Sequence, residues 1–318
     1  MEKTTFAPGE RPLSQEELQS RTVELVRNLE AGYVPGRDRI VTPENVFQPA
    51  VMEGRNVLED FVAGMLLPGS RVEGVEHFED CLERLRDGKT VLFLAEHRGN
   101  LDSPTFTTLL RKEGGKYEEI INRLVYIAGR KLNESSEFIK MFTEKYSRLI
   151  LVPRRDYPPE TLDESEADAA ARAEFAAYAT RLNRAAFRQL VRLRKAGYIF
   201  VLFPLGGRIK PGADNLPIRE TASYLRAFDV AYLISMEGNL LPPLDRMEDE
   251  RPEQARVLFR AGPALVCKEF LQELRRRYEQ GGEAGGEPVN SDYEQFVANS
   301  VTAMLANLRL SGCYEPPA

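Results

Sequence analysis

Five short apolar runs recur through the middle of the chain, at 91–95, 124–128, 149–152, 199–203 and 230–234. Each is apolar without alternation, which predicts strands buried on both faces. Helical patterns separate them. The longest, 164–195, ends at Gly197. Strands alternating with helices predict an α/β fold with a mostly parallel sheet flanked by helices. The stretch before Val72 differs. Ser14 and Glu17 form a capping-box pattern, followed by an apolar stripe of Leu18, Val23, Leu25, Val26 and Leu29. Thr42-Pro43 predicts a second helix that ends near Pro68-Gly69. No strand-like alternation occurs there, so residues 1–72 are expected to form a small helical N-terminal domain and 73–318 an α/β domain. From Val72 a helix carrying Val75, Phe78, Cys81, Leu82 and Leu85 runs to Gly88. Two further helices are predicted at 267–280 and 292–310, with a flexible glycine-rich loop at 281–286 between them.

Composition narrows the function classes. With 318 residues, 42% apolar and 29% charged, the chain can bury a large core without disulfides. Cys81, Cys267 and Cys313 form no CxxC pair and no disulfide framework, which points to a reducing, cytoplasmic setting. The N-terminus has no apolar signal region, and no stretch reaches the ~18 apolar residues that span a bilayer. A net charge of −6 disfavours a nucleic-acid partner. The only histidines are His77 and His97, so a metal site built from a histidine cluster is not expected.

Candidate chemistry gathers after the predicted strands. His97 and Asp102 lie in Glu96-His97-Arg98-Gly99-Asn100-Leu101-Asp102-Ser103-Pro104. On one regular helix they would stand about 140° apart and could not meet. Gly99-Asn100 allows a turn that brings them together, and Ser103-Pro104 looks like a helix start. A carboxylate that orients an imidazole makes a general base. Taken alone, the string better suits a core histidine beside an aspartate that caps a helix; the strand before it and the proline after it favour the base. Arg208 and Lys210 follow the 199–203 strand in Phe203-Pro204-Leu205-Gly206-Gly207-Arg208-Ile209-Lys210-Pro211. Arg154-Arg155 and Gly129-Arg130-Lys131 lie just past two other strands. Repeated cations at strand ends predict an anionic ligand, with arginine offering a planar fork to phosphate. Each cation singly also reads as ordinary surface.

In this order, the segments resemble the glycerolipid acyltransferase superfamily, whose first motif is His-x4-Asp. The usual third motif of its lysophosphatidate enzymes is Phe-Pro-Glu-Gly-Thr-Arg. Here Leu205 replaces the glutamate and Gly207 the threonine, and the Gly-Gly-Arg-x-Lys-Pro form is similar to the soluble glycerol-3-phosphate acyltransferases of chloroplasts and some bacteria. The resemblance covers roughly residues 90–240. It implies His97 as base, Asp102 as its partner, and Arg208, Lys210, Arg154, Arg155 and, less closely, Arg130 as ligands of the substrate phosphate. The partners it implies are glycerol 3-phosphate and an acyl donor, either acyl-carrier protein or acyl-CoA, and it implies direct attack with no metal or redox cofactor. Backbone N–H groups at Gly99, Gly206 and Gly207 are the candidates to hold an oxyanion. Lysophosphatidate or dihydroxyacetone phosphate as acceptor, and a non-catalytic lipid- or carrier-binding module, are the alternatives.

Two basic clusters remain. Arg181, Arg184, Arg188 and Arg192 share one helix face, which suits either an acidic carrier protein or, more plainly, solvent. Arg275-Arg276-Arg277 offers a peripheral contact with anionic lipid, with ordinary helix surface the plainer reading.

Overall fold

The computed structural model describes residues 12–135, 137–160, 165–209, 216–244, 249–281 and 292–311. In chain order the helices are α1 (Gln15–Ala31), α2 (Arg55–Met65), α3 (Glu76–Arg86), α4 (Asp102–Lys112), α5 (Glu118–Arg123), α6 (Arg130–Ser135), α7 (Glu137–Thr143), α8 (Glu166–Lys195), α9 (Thr221–Ala227), α10 (Cys267–Glu279) and α11 (Tyr293–Ser311). The strands are β1 (Phe47–Gln48), β2 (Arg71–Glu73), β3 (Val91–Ala95), β4 (Leu124–Gly129), β5 (Arg148–Leu151), β6 (Ile199–Leu202), β7 (Val230–Glu237), β8 (Leu258–Ala261) and β9 (Leu265–Val266).

Among the described residues, all nine strands join one sheet in the order β1-β5-β4-β6-β3-β7-β8-β2, with β9 pairing the start of β7. The five strands expected from the apolar runs, β5, β4, β6, β3 and β7, are parallel and contiguous. Antiparallel pairs extend both sides, β1 on β5 and β8 on β7. The fold is therefore α/β with a mostly parallel sheet between helical layers. Alternate residues of β3 feed opposite layers, as the two-residue period of a strand requires. Val91, Phe93 and Ala95 pack in one core with residues of α1–α5 and α7. Leu92 and Leu94 pack in the other with α8–α11.

The N-terminal expectation needs correction. Residues 42–54 are not helical: Thr42 and Asn45 close a turn, and Gly54 at φ 75° precedes α2, which starts only at Arg55. β1 and β2 place strands where none was expected. They are two and three residues long, too short to leave a period in the sequence. Nor does this segment build a core of its own. Leu25, Leu29, Leu58 and Phe61 belong to the same cluster as Phe93 and Phe106. The expected loop at 282–286 and Cys313 lie outside the described residues.

Candidate active site

The five parallel strands end on one edge of the sheet, where open α/β sheets bind ligands. Chain order there is β3, β4, β5, β6, β7, but β6 lies between β4 and β3. That insertion sets the loop after β6 directly beside the loop after β3.

His97 leaves the end of β3, and Asp102 is the first residue of α4. The turn between them brings Nδ1 of His97 to 2.8 Å from Oδ2 of Asp102. The same carboxylate accepts the backbone N–H groups of Arg98, at 2.6 Å, and Gly99, at 2.9 Å. These amides precede the helix, so Asp102 ties the turn together and is not an ordinary cap of its own first turn. Surrounded by donors, the carboxylate accepts the Nδ1 proton of a neutral imidazole and leaves Nε2 as the basic nitrogen. Asp102 is buried and His97 is partly exposed.

Two loops hold the imidazole. The Phe203 ring stacks on it, centroids 4.2 Å apart and 16° from parallel. Tyr126 and Tyr146 continue the row of rings beneath Phe203. The N–H of Ile209 donates to the carbonyl of His97 at 2.7 Å, which joins the Arg208 loop to the histidine. From the other side, Asn239 after β7 donates to the Arg98 carbonyl at 2.8 Å. Gly99 is required there, because a Cβ would sit 2.4 Å from Asn239 Oδ1 and 2.7 Å from the Leu241 carbonyl.

The expected cations divide. Arg208 is at the site, but its guanidinium is paired with Glu250 at 2.5 Å, and both side chains are largely buried. Oε2 of Glu250 has no donor among the described residues. Among the described residues, the pair engages one terminal nitrogen of the Arg208 fork. Arg155 donates to the Gly206 carbonyl, so it braces the β6 loop. Arg154 is exposed in the short turn Arg154–Asp156. Arg130 is turned away: it pairs with Glu134 at 2.5 Å and lies over Phe175 and Tyr178 of α8. Lys210 lies outside the described residues.

The oxyanion expectation also changes. The N–H of Gly99 is taken by Asp102, and that of Gly206 by the Phe203 carbonyl at 2.7 Å. Of the three candidates, Gly207 alone is not seen to be so engaged. Burial pushes the Cys81 and Cys267 thiols up to about 12, so neither supplies a thiolate nucleophile at neutral pH.

Sequence reasoning assigned no role to Glu96, Asn239, Glu250 or Arg309. Gly238-Asn239 after a strand is a turn signal that could have pointed to Asn239. Glu96 accepts the Met236 N–H at 2.9 Å and pairs with Arg309 at 2.7 Å, a partner 213 residues away with no sequence signal. Its carboxyl is pushed up chiefly by burial, opposed by the Met236 amide and by Arg309.

No family model matches the chain, and no curated protein matches it. Among solved structures, it is similar to the 1-acyl-sn-glycerophosphate (LPA) acyltransferase, PlsC, from Thermotoga maritima. The two share 13% identity over 94% of this chain and 99% of that one, with a TM-score of 0.44. A likeness at that level assigns no reaction.

Proposed function

We propose that the chain is an acyltransferase, moving a fatty acyl group from a thioester carrier to a hydroxyl of a phosphate-bearing glycerol acceptor. The acceptor in this reading is glycerol 3-phosphate, acylated at its sn-1 hydroxyl. The observation that carries it is the oriented imidazole at the end of β3, hydrogen-bonded through its backbone to the loop that bears Arg208. With Nδ1 bound to Asp102, Nε2 takes the proton of the acceptor hydroxyl as its oxygen attacks the thioester carbonyl carbon. The tetrahedral intermediate collapses, the carbon–sulfur bond breaks, and the imidazolium returns the proton to the leaving sulfur. Phosphate contacts with Arg208, and with Arg154 and Lys210 in the same reading, hold the hydroxyl near His97, so that positioning supplies part of the acceleration.

Transfer of labelled acyl groups from carrier-protein and coenzyme A thioesters tests this, with glycerol 3-phosphate, lysophosphatidate and dihydroxyacetone phosphate as competing acceptors. A clear preference for lysophosphatidate would defeat the acceptor assignment, and transfer to none of them the chemistry itself. His97→Ala is expected to lower turnover by about 10²–10⁴-fold without loss of folding. Arg208→Ala is a poorer test. It strands the buried Glu250 carboxylate, at a stability cost of about 3–5 kcal/mol that would mask any loss of binding.

A further inference from the structure

At the opposite edge of the sheet a groove of about 1160 Å³ opens between α9, α10 and the start of β7. It is separated from His97 by the length of β3, roughly 16 Å for five residues, so it is not part of the site described above. Six cations line it, against one lining carboxylate, Asp229. Three of the six are paired: Arg84 with Asp80, Arg226 with Glu294 and Arg276 with Glu273. Lys89, Lys268 and Arg275 have no carboxylate at ion-pair distance among the described residues. Asp229 is itself occupied, accepting the N–H and hydroxyl of Thr90, both at 2.8 Å.

Backbone bonds gather the lysine end of the groove. The Asp229 N–H donates to the Thr90 carbonyl at 3.2 Å, and the Cys267 N–H donates to the Asp229 carbonyl at 2.9 Å. Lys89 and Lys268 therefore flank one point, where α10 begins without a capping side chain. The Cys267 amide of that first turn is engaged by Asp229 and the turn carries Glu269, so the positive charge at this point is that of the two ammonium groups. Arg275 is seven residues further along the same helix face, about 10 Å away. Its guanidinium lies 3.6 Å from the centroid of the Tyr293 ring. That contact covers one face of the guanidinium and leaves the other for a planar ligand group.

We propose that this groove binds a nucleotide-type phosphate ester, with its phosphates between Lys89 and Lys268 at the start of α10 and its planar ring on Arg275. The concave form favours a small soluble ligand over a bilayer. Leu225, Phe228 and Val230 are buried at its floor, and of the apolar residues that line it only Val266 is exposed, at 37%. The proposal does not rest on acyl transfer.

Binding of adenosine diphosphate to the full chain by calorimetry tests it, beside inorganic phosphate and vesicles of phosphatidylglycerol. The wild type is expected to bind adenosine diphosphate more tightly than inorganic phosphate. K268E/R275E should weaken that binding at least about tenfold, because a charge-assisted phosphate contact and the stacking of the ring on Arg275 are both lost. R184E/R188E, which removes the same charge from the exposed face of α8, controls for general electrostatics and should leave it nearly unchanged. Circular dichroism of both variants shows that they fold. Four outcomes each overturn the proposal: no nucleotide binding, equal affinity for phosphate and nucleotide, equal weakening by the α8 control, or binding of vesicles alone.

Discussion

His97 and Asp102 meet because a four-residue turn, and not a helix, joins them. The carboxylate has two tasks at once. It holds the Arg98 and Gly99 amides, which shape the turn, and it sets the imidazole tautomer. Asp102→Asn separates the two tasks in part. At the Oδ1 position the amide oxygen can still accept from Gly99, while an amide N–H₂ at the Oδ2 position, facing Nδ1, forces the proton onto Nε2, removes the base and leaves the Arg98 N–H without its acceptor. In the acyl-transfer reading, kcat should then fall by about 10²–10⁴-fold, with little change in KM for the acceptor. Steady-state kinetics check this, and an unchanged kcat would show that the imidazole does no proton transfer. The identities of both residues were legible as a short string; the bonds from two upstream amides to Asp102 were not.

Whole elements carry the turn into position. Helix α4 is held against α2 by the buried Glu59, which accepts from Arg55 at 3.1 Å, Thr107 at 2.9 Å and Arg111 at 2.6 Å. That network satisfies a buried carboxylate and keeps the first turn of α4 under the end of β3. On the other side the β7 loop closes over Gly99 through Asn239. Gly99→Ala drives a methyl group into Asn239 and the Leu241 carbonyl, so one of the two loops must move. The expected cost is about 1–3 kcal/mol of stability, with a larger proportional loss of acyl transfer because the turn bearing His97 shifts. Thermal melts and turnover on the same preparations check it; a melt and rate equal to wild type would mean that the loops yield freely. The five parallel strands were legible from apolar runs of four or five residues. The short edge strands were not, since two or three residues carry no period.

Across the whole molecule, α11 returns from the far end of the chain to the central strand. Its Arg309 pairs with Glu96, the residue before His97, so the C-terminal helix bears on the site. Burial is the largest cause of the raised Glu96 carboxyl pKa. An acid that titrates higher when folded contributes stability that is complete below its ordinary value of 4.5 and is lost as pH rises through the folded value. The melting temperature of the wild type relative to Glu96→Gln should therefore fall as pH rises from about 4 to about 7. Melts of the two proteins across that range test it, and a constant difference would sink the assignment of strain to this carboxyl.

By itself, the sequence determined the parts whose cause is local. Burial on two faces writes a continuous apolar run, a capping box starts α1, and glycine stops α3 at Gly88. The tertiary structure alone decided which parts meet. It slots β6 between β4 and β3, and it pairs Arg208 with Glu250. Arg155 it spends on the β6 loop, and Arg130 it turns onto α8. A charged side chain takes its role from whatever shares its low-dielectric surroundings. Apart from Glu134, four residues from Arg130, those neighbours lie tens to hundreds of residues away, and pairing at that distance leaves no period in the chain to read.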